Sequence, residues 1–174
     1  MGRRQATPVR TNGRGSIGVR TMRRQQEIFL VHGRDQAARE TAARCLERGD
    51  FTPVILDEKP SGGRTIIEKL EHYTDVEFAV VLLTPDDVGA AATNPTALQP
   101  RARQNVIAEL GLLVGKLGRS RVCALYKGPL ELPSDIHGVV YVEMDDAGGW
   151  RARLARELIN AGFNVNVSGM VLVD

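Results

Sequence analysis

Cysteine and histidine are scarce in this chain, and aromatic residues make up only 5% of it. The two cysteines, Cys45 and Cys123, each lie inside an apolar segment, where a thiol behaves as a small hydrophobe in a reducing cytoplasm. No Cys/His cluster has the spacing of metal ligands, and His32, His72 and His137 form no pair at a useful interval. Each histidine is better read as structural, although His32 ends an apolar run that faces the expected crevice. No apolar run approaches the ~20 residues that a membrane helix needs, and the N-terminus lacks the apolar core of a signal peptide. A soluble, cytoplasmic protein without membrane contact is therefore expected. Two nucleotide motifs are missing as well. "PSGGRT" lacks the closing Gly-Lys-Ser/Thr of a P-loop, and "VHGRDQ" lacks the three glycines of the dinucleotide fingerprint. A P-loop NTPase and a hydride-transferring dehydrogenase are thereby disfavoured.

The net charge of +2 conceals an uneven distribution. Residues 1–26 carry seven arginines and no acid, which leaves 16 basic residues against 21 acids in the rest of the chain. The Gly-, Thr- and Arg-rich arm shows no periodicity and is expected to be a disordered leader. With a net negative body, nucleic-acid binding by the fold itself is not expected.

From residue 27 onward, strand and helix patterns alternate. "EIFLVH" (27–32) is a buried strand, and Asp35 can cap a helix that Gly49 stops. "PVILD" (53–57) is a second strand, followed by the "EKPSGGR" loop and a short helix with Ile66, Ile67 and Leu70. "FAVVLLT" (78–84) is apolar throughout, as a central parallel strand covered on both faces requires. A long loop over 85–100 precedes the helix around 101–117, then come strands at 121–126 and 139–144 and a last helix from Trp150 to Gly162. This order predicts an α/β fold with an open parallel sheet and helices on both faces, binding ligands at the carboxyl ends of the strands. The body spans 27–166, and 167–174 reads as a C-terminal tail.

Several side chains stand out against this frame. "PSGGRT" suits an anionic ligand through Arg64 and nearby backbone N–H groups, or is simply a flexible turn. The "TPDD" pair could bind ribose hydroxyls or metal, or merely start a turn. Glu109 is the sharpest case, a lone acid among Val106, Ile107, Leu110, Leu112, Leu113 and Val114. Desolvating a carboxylate is costly, so such an acid needs a reason. Asn105, Glu109, Leu112 and Lys116 share one helix face, distinct from the Val106, Leu110, Val114 and Leu117 stripe. A solvated glutamate, or one paired with Lys116 two turns away, is one reading. The other is an acid at a crevice wall that stabilises a developing oxocarbenium ion or attacks it.

Taken together, "IFLVHGRD", "PVILDEKPSGGRTIIEKL", "FAVVLLTPDD", "RARQNVIAELGLLVGKLGRSRVCALYKG", "ELPSDIHGVVYVEMDD" and "WRARLARELINAGF" resemble the bacterial TIR-like family first described as predicted nucleotide-binding proteins. The same domain is fused to STING or cyclic-nucleotide sensors in the CBASS and Pycsar anti-phage systems. The resemblance covers about 27–166. It implies a flavodoxin-like TIR fold with five parallel strands, and cleavage of the nicotinamide–ribose bond of NAD, the substrate, with no cofactor or metal. In the family the acid of the "RQN…ELG" helix is catalytic, which falls here on Glu109. The resemblance also implies that Gly33 and Arg34 line the pocket and that Ser61 to Arg64 match the mobile loop completing it between subunits. Asn105 would face the same pocket, and Asp86, Arg101 and Arg103 are further matches. Self-association on activation is implied too, with a cyclic-nucleotide sensor in the same chain or in trans. Two other classes remain open: a non-enzymatic TIR scaffold, and a nucleotide-binding or nucleoside-transferring module on the same kind of sheet.

Overall fold

The computed structural model of the chain describes residues 26–55, 68, 76–133 and 138–172. The N-terminal arm up to residue 25, the "PSGGRT" loop, the expected helix with Ile66, Ile67 and Leu70, and the last two residues lie outside these. Strand β1 (Gln26–Val31) opens the fold, one residue before the expected start of the body at 27. Asp35 then caps α1 (Gln36–Arg48) by accepting from the Ala38 N–H at 2.9 Å, and Gly49 closes it with backbone bonds to the last turn. β2 (Phe51–Ile55), β3 (Ala79–Leu83), β6 (Val122–Tyr126) and β7 (Val140–Glu143) join β1 in one sheet of order β2-β1-β3-β6-β7, every pair parallel.

Alternation along the strands sorts the core into two layers. Ile28, Leu30, Val80, Leu82, Cys123 and Leu125 point to one face, which α1, α3 (Trp150–Asn160) and α4 (Val167–Val171) cover with Leu46, Trp150, Leu154, Leu158 and Met170. Phe29, Val31, Ala79, Val81, Leu83 and Ala124 point to the other, where α2 (Gln104–Leu117) packs Val106, Leu110 and Leu113. All five residues of β3 are buried, as expected for a strand covered on both sides. Both cysteines are buried, and burial pushes the Cys45 thiol up to about 11 and the Cys123 thiol to about 12, so neither forms a reactive thiolate near neutrality.

Two expectations need correction. The stretch 85–100 is not a plain loop, because Asp87–Gly89 (β4) and Gln99–Arg101 (β5) pair antiparallel into a small ribbon outside the main sheet. Gly-, Ala- and Pro-rich composition hid three-residue strands too short for alternation to show. Nor is 167–174 a tail. Asn166 accepts from the Gly169 N–H at 3.0 Å to cap α4, and Met170 is buried against the Cys45 side of α1. One buried side chain on a five-residue helix leaves almost no periodic signal.

Asp35 joins local and tertiary order, since its other oxygen accepts from Lys127 Nζ at 2.9 Å, beyond the end of β6. The Ala38 N–H and then the Lys127 ammonium hold its carboxyl below the usual carboxylate range. Asp35→Ala is expected to cost about 1 kcal/mol and lower the melting midpoint by roughly 2–4 °C at neutral pH. A depressed carboxyl contributes stability above its unfolded pKa of about 4 that is lost as pH falls through the folded value, so the gap between wild type and variant should close in acid. Thermal melts from pH 7 to 3 check this, and a gap that persists unchanged at pH 3 would contradict it.

Candidate functional site

The chain passes from β1 to β2 on one side and then returns to place β3 on the other, so the strand order reverses between β1 and β3. Open α/β sheets bind ligands at this switch point, outside the carboxyl ends of the strands. Here the two strand ends are tied together. The Arg34 N–H donates to Asp86 Oδ2 at 2.9 Å, and Arg34 Nη1 reaches the Asp86 carbonyl at 3.2 Å and Asp87 Oδ1 at 2.8 Å. Asp86 is itself placed by a tight turn in which its N–H donates to the Thr84 carbonyl at 2.7 Å. Position 33 has to be glycine for this arrangement: a Cβ there would fall 1.7 Å from Asp86 Oδ2. Gly33, Arg34 and Asp86, three residues singled out in the sequence, therefore form one cluster.

Glu109 lies on α2, about 8 Å along the axis from the helix start near the strand ends. It is 8% exposed and buried alongside Val106, Leu110 and Leu113. The helical wheel grouped it instead with Asn105, Leu112 and Lys116, all of which are exposed. A step of four residues advances only about 40° around the helix, so Glu109 sits midway between Asn105 and Leu113 and falls on the buried side of the border. A mostly apolar helix thus carries one nearly buried carboxylate into the structure. Asn105 is exposed on the first turn, and Arg103 precedes the helix without making a side-chain cap. Ser61 and Arg64 lie outside the described residues.

Beside the cluster an open cavity of about 580 Å³ lies between the ribbon and the start of α2, lined by Asp86, Asp87, Val88, Arg101, Ala102 and Gln104 among others. Arg101 is steadied there by Glu131 at 2.6 Å and by the close approach of Gly89, and the Glu131 N–H donates to the Pro100 carbonyl. Glu109 is not part of this wall. Among the described residues no three His, Cys, Asp or Glu side chains gather as a metal would require. The sequence reading missed Asp87 as the partner of Arg34 and Lys127 as the partner of Asp35. "TPDD" held the first signal, but nothing local announces a pair 53 residues apart.

Comparison with known proteins places this geometry in a family. Residues 27–146 match the model of the CAP12/Pycsar effector protein TIR domain. The chain is 52% identical over 139 residues to the uncharacterized protein YuaY of Escherichia coli K12, covering 79% of this chain and 46% of that protein. It is 36% identical over 126 residues to protein tirC of Dictyostelium discoideum, covering 67% of this chain and 63% of that one. The Pycsar effector protein PaPycTIR of Pseudomonas aeruginosa is 38% identical over 79 residues, 44% of this chain and 25% of the effector. The chain thus spans about half the length of the curated relatives it matches most extensively. On the matched span, which includes every strand of the sheet but the first residue of β1, the chain belongs to the CAP12/Pycsar effector TIR-domain family.

Proposed function

We propose that this domain is an NAD glycohydrolase acting as the effector of a prokaryotic anti-phage system, switched on by self-association. The observation that carries the reading is Glu109, a carboxylate 8% exposed on an otherwise apolar helix wall. In glycosidic chemistry a carboxylate held beside the reacting carbon stabilises the developing cation or attacks it, and a nearly buried acid is shielded from water for that role. Family membership supports the same reading, and two of the relatives carry the name Pycsar effector protein.

In the proposed reaction the bond between the ribosyl C1′ and the nicotinamide nitrogen breaks with its electron pair leaving on nicotinamide. Glu109 faces the ribosyl cation, stabilising it or trapping it as an ester. Water then adds at C1′ and releases a proton, giving ADP-ribose. Arg34, on the strand-end cluster, is one cation available to the pyrophosphate. Its exposed pair with Asp87 is worth at most about 1 kcal/mol, so a doubly charged ligand can take it over. The activating signal is proposed to come from a cyclic-nucleotide sensor, in a further domain or a separate protein.

Three outcomes are expected. Glu109→Gln should lower the rate of nicotinamide release by roughly 10²–10³-fold or more while the melting midpoint holds, because one charge opposite the reacting centre is lost. A folded variant that still turns over NAD would remove Glu109 from the chemistry. Gly33→Ala should displace the Asp86 carboxylate and raise KM for NAD; a KM equal to that of the wild type would show that the cluster does not touch substrate. Turnover per subunit should rise steeply with protein concentration as light scattering records larger assemblies, and a flat specific activity in a monomer would contradict activation by assembly.

A further inference from the structure

At the strand ends that carry the Arg34–Asp86–Asp87 cluster, two polar atoms are buried without a hydrogen-bond partner among the described residues: His32 Nε2, at the end of β1, and Thr84 Oγ1, at the end of β3. Thr84 is only 2% exposed. Buried polar side-chain atoms are nearly always satisfied, and each exception calls for an explanation. These two flank the point where the strand order reverses, and Thr84 Oγ1 lies 3.4 Å from where a Cβ on Gly33 would stand, beside the Asp86 carboxylate.

The chemistry of the pair is defined. His32 Nδ1 lies 2.7 Å from the Gly33 carbonyl, which only accepts, so Nδ1 carries the proton. A neutral ring that donates from Nδ1 bares an acceptor lone pair at Nε2. The Thr84 hydroxyl both donates and accepts. A ligand satisfying both must present an O–H or N–H donor to the imidazole and a donor or acceptor to the hydroxyl, as a sugar diol or a primary amide does. The cluster beside Thr84 is itself easily moved. Arg34 is 61% exposed at its side chain and holds Asp87 by a surface ion pair, a weak interaction.

We propose that His32 and Thr84 are ligand-contacting residues of a polar subsite at the β1/β3 switch point, closed in the free protein by the Arg34–Asp86–Asp87 cluster. Anionic groups of the ligand draw Arg34 from Asp87, and a hydroxyl or amide edge enters beneath. The subsite rests on the NAD reading only for the identity of that edge, a ribose diol or the nicotinamide carboxamide.

Thr84→Val separates this role from a structural one. Replacing an unpartnered buried hydroxyl by a methyl of the same shape should leave the melting midpoint unchanged or raised. The same change should lower kcat/KM for NAD by about tenfold, chiefly through KM, since the ligand loses one hydrogen bond. Thr84→Ser should restore most of it. Imidazole ¹⁵N spectra of the wild-type protein provide an arm independent of turnover. Titration with NAD and, separately, with ADP-ribose should move the His32 Nε2 signal as its lone pair accepts a hydrogen bond. A stable Thr84→Val protein with wild-type KM, in a preparation that cleaves NAD, overturns the subsite and leaves the glycohydrolase intact. If the wild-type protein does not cleave NAD, the glycohydrolase reading fails. The His32 signal then decides the subsite alone: movement supports it, and a signal unmoved by either ligand overturns it.

Discussion

The backbone N–H of Arg34 reaches the Asp86 carboxylate only because nothing projects from Cα of residue 33. That contact links the turn leaving β1 to the turn leaving β3, which meet where the sheet changes direction. Several other features depend on it. It fixes the direction in which Arg34 leaves the backbone, and so brings the guanidinium to Asp87. It seats the acid pair at the mouth of the cavity beside the ribbon. It also sets the Asp86 carboxylate beside Thr84, whose hydroxyl has no hydrogen-bond partner among the described residues. A hydrogen bond from a backbone amide to an ionised carboxylate is among the stronger kinds, and here it is the fixed element beneath a looser ion pair.

The two sides of the sheet divide the work. The face covered by α1, α3 and α4 holds the large aromatic side chains, with Phe163 meeting both Phe51 and Phe78 edge to face at 5.9 Å. The opposite face, under α2, is aliphatic apart from Phe29 and the partly buried Tyr126 and Tyr141, and carries Glu109 at the border of its packing surface. A carboxylate there has a wall that excludes water, and charge interactions gain strength where water is excluded.

Much of this was legible in the sequence. β3 announced itself as "FAVVLL", α1 by Asp35 and Gly49, and the lone acid of α2 by contrast with its neighbours. Signals of this kind are local and periodic. What escaped was either too short or too distant. The β4–β5 ribbon has three residues per strand, and α4 is a single capped turn and a half built around Met170. The pairs Arg34–Asp87 and Asp35–Lys127 join residues that only the folded sheet brings together. The helical wheel placed Glu109 on the right helix but with the wrong neighbours, because a position at a border is decided by what packs against it. The orphaned hydroxyl of Thr84 could not be read at all, since satisfaction is a property of surroundings.

Pro53 lies in β2, the strand at one margin of the sheet, paired with Ile28 on its inner side. A proline there has no N–H to offer, and a strand of five residues interrupted in its middle is a poor template for a sixth. Copies of this domain are thereby discouraged from growing a continuous sheet across that margin. The margin formed by β7 carries no proline, so this break acts on one margin alone. On the β2 margin the proline acts against strand-on-strand addition, the pairing that leads toward the stacking of amyloid.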